Sequence, residues 1–421
     1  MSRGAPPPIA EPPRTSSQPT GRSRSRQDLT FAGASVVGQA LIVAAYIITA
    51  RGMPVADFGL LMSALAAGTF LSSLCDMGST AHGLREIAAG RLTIADYLIA
   101  LAHRAGVTMS VLGVVAAALC FADTRHAGIY VSGALAAGMM SCAQASLIPL
   151  RATLRVRAWG VVILAEKVLT LLIAALLLLT SRPEWALAAG ISIGAATSLG
   201  LSLYLVRAQR IKVHSLGRAQ VWPGFSGFGG AQLAVSAQGL DLPLFSLVGS
   251  PAAAAAYAAV TRWTNALGLP ASVYSQVSYP HFASATSHWR ALQGARHSAW
   301  MLCTTVVACL AAALSADTVV PLLLGDQYAS SASVLRWLAL TTIIAGLNQP
   351  LFGLLQARGA DVRTAQWMAT AVAAQLSIVL VLGLASVDNA LVIGFAAAQI
   401  LLAALLMTTL ATLIHQENRN T

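Results

Sequence analysis

Apolar stretches of about 20 residues recur along almost the whole sequence, and each is long enough to cross roughly 30 Å of hydrocarbon as a helix. They fall at 31–50, 58–76, 105–122, 128–149, 160–180 and 185–206, and then at 226–248, 252–274, 298–316, 332–355, 366–385 and 389–410. No other reading accommodates this pattern. In the 421-residue chain 57% of residues are hydrophobic and only 10% are charged, against about 45–50% and roughly 25% in an average soluble domain. There is too little charge to solvate a globular surface of this size. An ordinary cytosolic enzyme and a disordered regulator are both excluded. The fold class expected is all-α: a polytopic membrane protein of about twelve transmembrane helices in two six-helix bundles, with both termini cytoplasmic.

The loops test that topology. Positive charge collects in cytoplasmic loops. Of the 26 Lys and Arg residues, only Arg51, Arg125 and Arg182 fall in the loops assigned outside, while Lys167, Arg262 and Arg336 fall inside spans. All the others stand in the tail or in the loops assigned inside. The net charge of +11 is therefore membrane topology, and nucleic acid is not expected as a partner. The sequence has no Walker motif and no Gly-rich nucleotide loop in the right context. The five cysteines form no C-x-x-C pair and mostly sit in apolar runs, as small packing residues do.

The expected domains follow from the spacing. Residues 1–28, rich in Pro, Ser and Arg, read as a disordered cytoplasmic tail. Residues 29–206 form the first bundle, 207–225 a cytoplasmic linker, 226–411 the second bundle, and 412–421 a cytoplasmic tail. Division into six spans plus six suggests a repeat, as in many transporters.

No set of residues suggests covalent chemistry or a metal, so the informative groups are charges inside the spans. Each costs at least roughly 2.5–3.5 kcal/mol there and is a functional candidate by default. Asp241 and Arg262 lie at similar depth on spans seven and eight, joined by a tight turn at 249–251. An ion pair is expected, serving either transport or structure. Glu166 and Lys167 sit together in span five. Adjacent helix positions point about 100° apart, so the two are not expected to face one cavity. Lys167 can snorkel to the inner surface, which leaves Glu166 as a proton carrier or an arginine partner. Asp76 ends span two, where the helix dipole disfavours a carboxylate, and Arg85 is the cation expected to lock it. Arg336 can snorkel outward. Amides in the spans, among them Gln39, Gln144, Gln232, Gln238, Asn265 and Asn348, either line a polar passage or join helices.

Several stretches resemble a known family. These are Ala50-Arg51-Gly52-Met53-Pro54-Val55-Ala56-Asp57-Phe58-Gly59-Leu60, Asp76-Met77-Gly78 with Arg85-Glu86-Ile87-Ala88, and Leu240-Asp241 with Gly249 and Tyr257-Ala258. Leu323-Leu324-Gly325-Asp326-Gln327-Tyr328 and Leu355-Gln356-Ala357-Arg358-Gly359 continue the series in order. Together they resemble the polysaccharide-transport (oligosaccharide flippase, Wzx-like) family of the multidrug/oligosaccharidyl-lipid/polysaccharide exporter (MOP) superfamily. Two departures are plain. Several members have fourteen spans, and Leu242 stands where a basic residue is frequent. The resemblance implies a multi-pass protein of the bacterial inner membrane, not an enzyme and without a cofactor. It would carry an oligosaccharide linked to polyprenyl pyrophosphate outward for surface polysaccharide or O-antigen assembly. H⁺ or Na⁺ would be the coupling ion if transport is coupled. Partners would be membrane lipids and the polysaccharide polymerase and chain-length or export proteins. Substrate or ion contacts would come from Asp241, Arg262, Glu166, Lys167, Arg336, Asn348 and Gln39. The alternatives are an ion-coupled multidrug or small-metabolite antiporter of the same superfamily, and a non-transporting scaffold of a glycan-assembly complex.

Overall fold

The computed structural model describes residues 21–88, 90–153, 155–179, 183–208, 221–222, 228–284, 293 and 299–420. The tail to residue 20, most of the 207–225 linker, and Arg290 and Arg296 lie outside these residues. Everything regular among the described residues is helical. The first half holds α1 (Gly21–Gly52), α2 (Val55–Asp76), α3 (Ser79–Ala88), α4 (Ile94–Ala122), α5 (Ala127–Ser146), α6 (Ile148–Ala152), α7 (Val156–Leu178) and α8 (Pro183–Ala208). The second half holds α9 (Phe228–Ala237), α10 (Asp241–Val248), α11 (Pro251–Leu267), α12 (Leu269–Ser284), α13 (Trp300–Leu324), α14 (Ser331–Ala357), α15 (Asp361–Leu384) and α16 (Ala390–Asn420).

Among the described residues nine helical segments are long and apolar enough to cross a membrane, and Val36–Gly52 of α1 is a shorter apolar one. The seventh and eighth spans, expected to be continuous, are each broken in two. A 3₁₀ turn, Gln238–Leu240, separates α9 from α10. Pro243 explains it. A helical proline cannot donate to the carbonyl four residues back and clashes with it. That carbonyl belongs to Gly239, inside the break. Pro270 does the same to the α11–α12 junction at Gly268. Among the described residues α1 already runs from Gly21, inside the segment expected as tail. Helix α16 carries the 412–421 segment on as helix to Asn420.

The surface confirms the solvent. Helices α4, α7, α13 and α15 leave most of their apolar windows unburied by the rest of the protein. Phe121 is 89% exposed and Leu314 86%. Such continuous apolar faces are stable only against lipid. The chain is a multi-pass membrane protein. In the first half α7 packs on α1 and α8, and α5 on α2, α4 and α8; in the second α13 packs on α14, and α16 on α14 and α15. The halves meet where α1 and α2 cross α9, α10 and α11.

The two ends of this seam differ. At the end bearing the α1–α2 turn, which we call the turn end, one hydrophobic cluster runs across both halves. It includes Tyr46, Met53 and Phe58 from the first half and Phe245, Tyr257 and Tyr328 from the second. The Phe58 and Tyr328 rings meet edge to face at 6.4 Å. Arg51 donates to the Leu322 carbonyl at 2.9 Å, and Gln327 to that of Ala50 at 3.3 Å. At the opposite end, which we call the α3 end, the halves touch through α3 and α9.

The α3 end also carries the lock expected at Asp76, with a different cation. Asp76 accepts from Arg104 Nη1 at 3.0 Å and from Thr80 Oγ1 at 2.7 Å and backbone N at 3.1 Å. Arg85 instead bonds Glu86. The reason lies in α4, which begins at Ile94 and not near 105. Thr93 caps it, accepting from the Asp96 backbone N–H at 3.1 Å. Arg104 thus sits on the helix, 3% exposed, and reaches Asp76 from within. Glu86 is bound by Arg91 at 2.6 and 2.8 Å, and that hydrogen bond first of all holds its carboxyl down to about 2. Removing one partner of a buried ion pair costs about 3–5 kcal/mol, because the other charge is left buried alone. Asp76→Ala is therefore expected to lower the unfolding temperature in detergent sharply. Adding Arg104→Leu should restore much of the stability; a double variant no better than the single would show that the pair is not what stabilises this corner.

Candidate functional site

The break between α9 and α10 places the site. Asp241 follows the 3₁₀ turn as the first residue of α10, where the helix dipole favours a carboxylate. Asp241 is buried. Its Oδ1 accepts from the Leu242 backbone N–H at 2.7 Å. Its Oδ2 accepts from the Tyr257 hydroxyl at 2.8 Å and from Gln375 Nε2 at 2.9 Å. Gln238, in the 3₁₀ turn, donates to Gln375 Oε1 at 3.3 Å. The neighbouring helices α10 and α11 and the distant α15 are tied at one carboxylate.

A cavity of about 240 Å³ opens beside this group. Tyr257, Thr261 and Asn265 recur every four residues, a spacing that puts them on one face of α11; they and Arg262 line one side. Met62 and Ala66 of α2 form the facing wall. The cavity therefore lies on the seam between the halves.

Arg262 does not form the expected ion pair with Asp241. The acceptor is already filled from other directions, and Tyr257 reaches it first along α11. Arg262 comes five residues later, about 140° round the helix. Its guanidinium lies over the Tyr46 ring of α1, 5.1 Å from the centroid. Among the described residues Arg262 has no carboxylate partner. A guanidinium carries five N–H donors and no acceptor, and stacking on a ring leaves those donors free. Both oxygens of the cavity's carboxylate are thus already bonded by the protein, while its cation has no carboxylate partner among the described residues.

The other candidates lie elsewhere. Glu166 and Lys167, not expected to face one cavity together, form an ion pair at 2.5 Å. Their long side chains fold back across the angle between adjacent positions. Lys167 runs along α1 at Gly38, where an added Cβ would come 3.5 Å from its Cγ. Arg336 bonds Asp317 and the Ala313 carbonyl between α14 and α13. Asn348 donates to the backbone and side-chain oxygens of Gln399 at 2.9 and 3.0 Å, joining α14 to α16. Gln39 is half-buried on α1. None of these five lines the cavity. Sequence reasoning missed Gln375 and Tyr46. Neither carries a local signal: Gln375 meets Asp241 across 134 positions, and Tyr46 is an unremarked aromatic in an apolar run.

No family model matches the sequence, and no curated protein matches it. Solved structures do match its fold. The lipid II flippase MurJ, in an inward closed conformation, superposes with a TM-score of 0.67 at 10% identity, covering 90% of this chain and 87% of that one. An inward-facing multidrug resistance MATE family transporter of the MOP superfamily gives 0.65 at 15% identity, covering 89% and 95%. The MATE multidrug transporter DinF-BH gives 0.62 at 14% identity, covering 92% and 96%. At such identities the likeness is one of fold. The architecture is the one these solved transporters have.

Proposed function

We propose that this protein flips a lipid-linked oligosaccharide, carried on polyprenyl pyrophosphate, across the bacterial inner membrane by alternating access. The product would serve surface polysaccharide or O-antigen assembly. One observation supports this above all. Among the described residues the guanidinium N–H groups of Arg262 have no hydrogen-bond partner, and they face the seam cavity beside a carboxylate whose acceptor oxygens are already bonded. A pyrophosphate cannot enter hydrocarbon unaided, since a desolvated charge is costly unless paired. Arg262 supplies the pair, and Arg binds phosphate with directed, often bidentate bonds. The excess of Arg at the α3 end favours a cytoplasmic position for that end, on the side where the cargo is built. A closed turn end corresponds to a carrier waiting for cargo from inside.

A deletion strain tests the reading. Loss of surface glycan, with complete oligosaccharide held on the inner leaflet, supports it. Normal glycan with raised drug sensitivity would favour the antiporter instead. That second reading draws on Asp241, a buried carboxylate at the cavity wall able to take H⁺ or Na⁺. Asp241→Asn is expected to cut export strongly at normal protein level. It turns an acceptor into a donor against Tyr257, Gln375 or the Leu242 N–H. An unmatched buried donor costs about 1–3 kcal/mol, and a site that loses its register by that much loses roughly tenfold or more in rate. Wild-type export in this variant would remove Asp241 from the mechanism.

A further inference from the structure

A second cavity, again of about 240 Å³, lies at the α3 end and shares no lining residue with the first. Ser73 on α2, Ser141 and Gln144 on α5 and Arg151 on α6 line it from one half, and Gln232 on α9 lines it from the other. It bridges the seam. Helix α2 connects the two cavities along a single stripe. Met62 and Ala66 face the first, Ser73 and Asp76 the second. Ala66 and Ser73 are seven residues apart, two turns of helix, so they share a face about 10 Å apart along the axis. On α9, Gln232 precedes Val235 of the first cavity by three residues, again one face. The cavities follow one another along the seam.

Their chemistry differs. In the second cavity Asp76 is neutralised and fixed by Arg104 and Thr80. The Arg151 guanidinium lies over the Trp159 ring at 4.9 Å, a stacked cation as Arg262 is, so what sets this cavity apart is its hydroxyls and amides. The side chains of Ser73, Ser141, Gln144 and Gln232 have no hydrogen-bond partner among the described residues. Each offers both a donor and an acceptor. A phosphate only accepts, and would leave the amide and serine oxygens unpaired. A lipid tail would leave all of them unpaired, which is costly. Sugar hydroxyls donate and accept at once and match the set.

We infer that the second cavity is a saccharide site, holding the neutral sugars of the cargo while its pyrophosphate reaches Arg262. This rests on the flippase reading and specifies its substrate: the protein recognises glycan as well as lipid phosphate. Because Gln232 and Gln144 belong to different halves, bound sugar also draws the α3 end together.

The test uses the purified full chain in lipid nanodiscs and two probes: polyprenyl diphosphate, bare or carrying an N-acetylhexosamine disaccharide. The wild type is expected to bind the glycosylated probe about tenfold tighter, near 1.4 kcal/mol. Gln144→Leu combined with Gln232→Leu should erase that preference and leave bare-probe affinity unchanged. Both glutamines are exposed, so the fold does not depend on them. Ser73→Ala with Ser141→Ala gives an independent variant with the same expected direction. Equal wild-type affinity for both probes, or a preference that survives both double variants, overturns the saccharide site alone. Wild-type protein that binds neither probe overturns the flippase reading and this site with it.

Discussion

Arg262→Ala is expected to abolish export of the surface glycan while the protein still inserts and accumulates normally. No carboxylate among the described residues depends on the guanidinium as an ion-pair partner, since Asp241 is held by Tyr257, Gln375 and the Leu242 N–H. Inside the protein the substitution removes the stacking on Tyr46, a cation–π interaction of about 0.5–2 kcal/mol. Its effect on an anionic cargo is larger. Removing one side of a buried charge pair typically costs about 2–5 kcal/mol, roughly 30-fold to several thousandfold in binding. Arg262→Lys keeps the charge but not the planar fork, and should retain part of the activity. Tyr46→Leu keeps the cation in the cavity, and its export should fall far less than that of Arg262→Ala. Complementation of the deletion strain, with protein level followed by immunoblot, measures all three. Full export with Arg262→Ala would show that the cargo's charge is met elsewhere.

Gly59→Leu is the second large effect. Gly59 stands in the first turns of α2, against α11 of the other half. A Cβ there would lie 2.9 Å from the Ala255 Cβ and 3.1 Å from its backbone N and Cα. The clash is with backbone, which cannot swing aside as a side chain can. Overpacking of this kind costs about 1–3 kcal/mol, and here it falls between the halves and not within either. The expected outcome is a normally inserted protein whose turn end cannot close. The seal made by Phe58 with Tyr328, and by Arg51 with the Leu322 carbonyl, lies next to it. Transport should drop at least roughly tenfold, since about 1.4 kcal/mol against the closed state suffices. A cysteine placed at Ala258, with the five native cysteines replaced, should become more reactive to an impermeant thiol reagent added from the turn side. Unchanged labelling and wild-type transport would mean that closure of this end does not require α2 and α11 to touch at Gly59.

Both predictions rest on the seam between the halves, and the seam is what the sequence reveals least. The spans were legible because hydropathy is a local property: each apolar run announces its own burial in lipid. A buried charge is equally local. Asp241 stood out because a carboxylate inside an apolar run must find compensation, whatever provides it. The need of Asp76 for a cation was legible on the same ground, from the helix end at which it sits. Its partner was not. Arg85 was nearer along the chain, but the Thr93 cap starts α4 early and carries Arg104 into reach. The signal for that early start is the Thr93-x-x-Asp96 spacing.

Glu166 and Lys167 show the opposite failure. The angle between adjacent helix positions is right for the Cα–Cβ bonds, but long side chains close it. Arg262 shows a third. Its depth matched that of Asp241, yet depth along two helices fixes one coordinate only, and rotation about each helix fixes the rest. The two breaks, at Pro243 and Pro270, were written in the prolines and concealed by the continuous hydropathy around them.

By itself the sequence determined what the chain is made of: membrane-crossing helices, their approximate limits, the side of the membrane expected to take the arginines, and the few charges that require an account. These follow from transfer free energies, which each segment incurs independently of the others. The tertiary structure alone decided which groups meet. It gave Asp241 to Tyr257 and Gln375, left the Arg262 guanidinium facing a cavity, and set a second polar cavity two turns along α2. Those outcomes depend on how helices far apart in sequence rotate and pack, and no single segment's free energy contains that information.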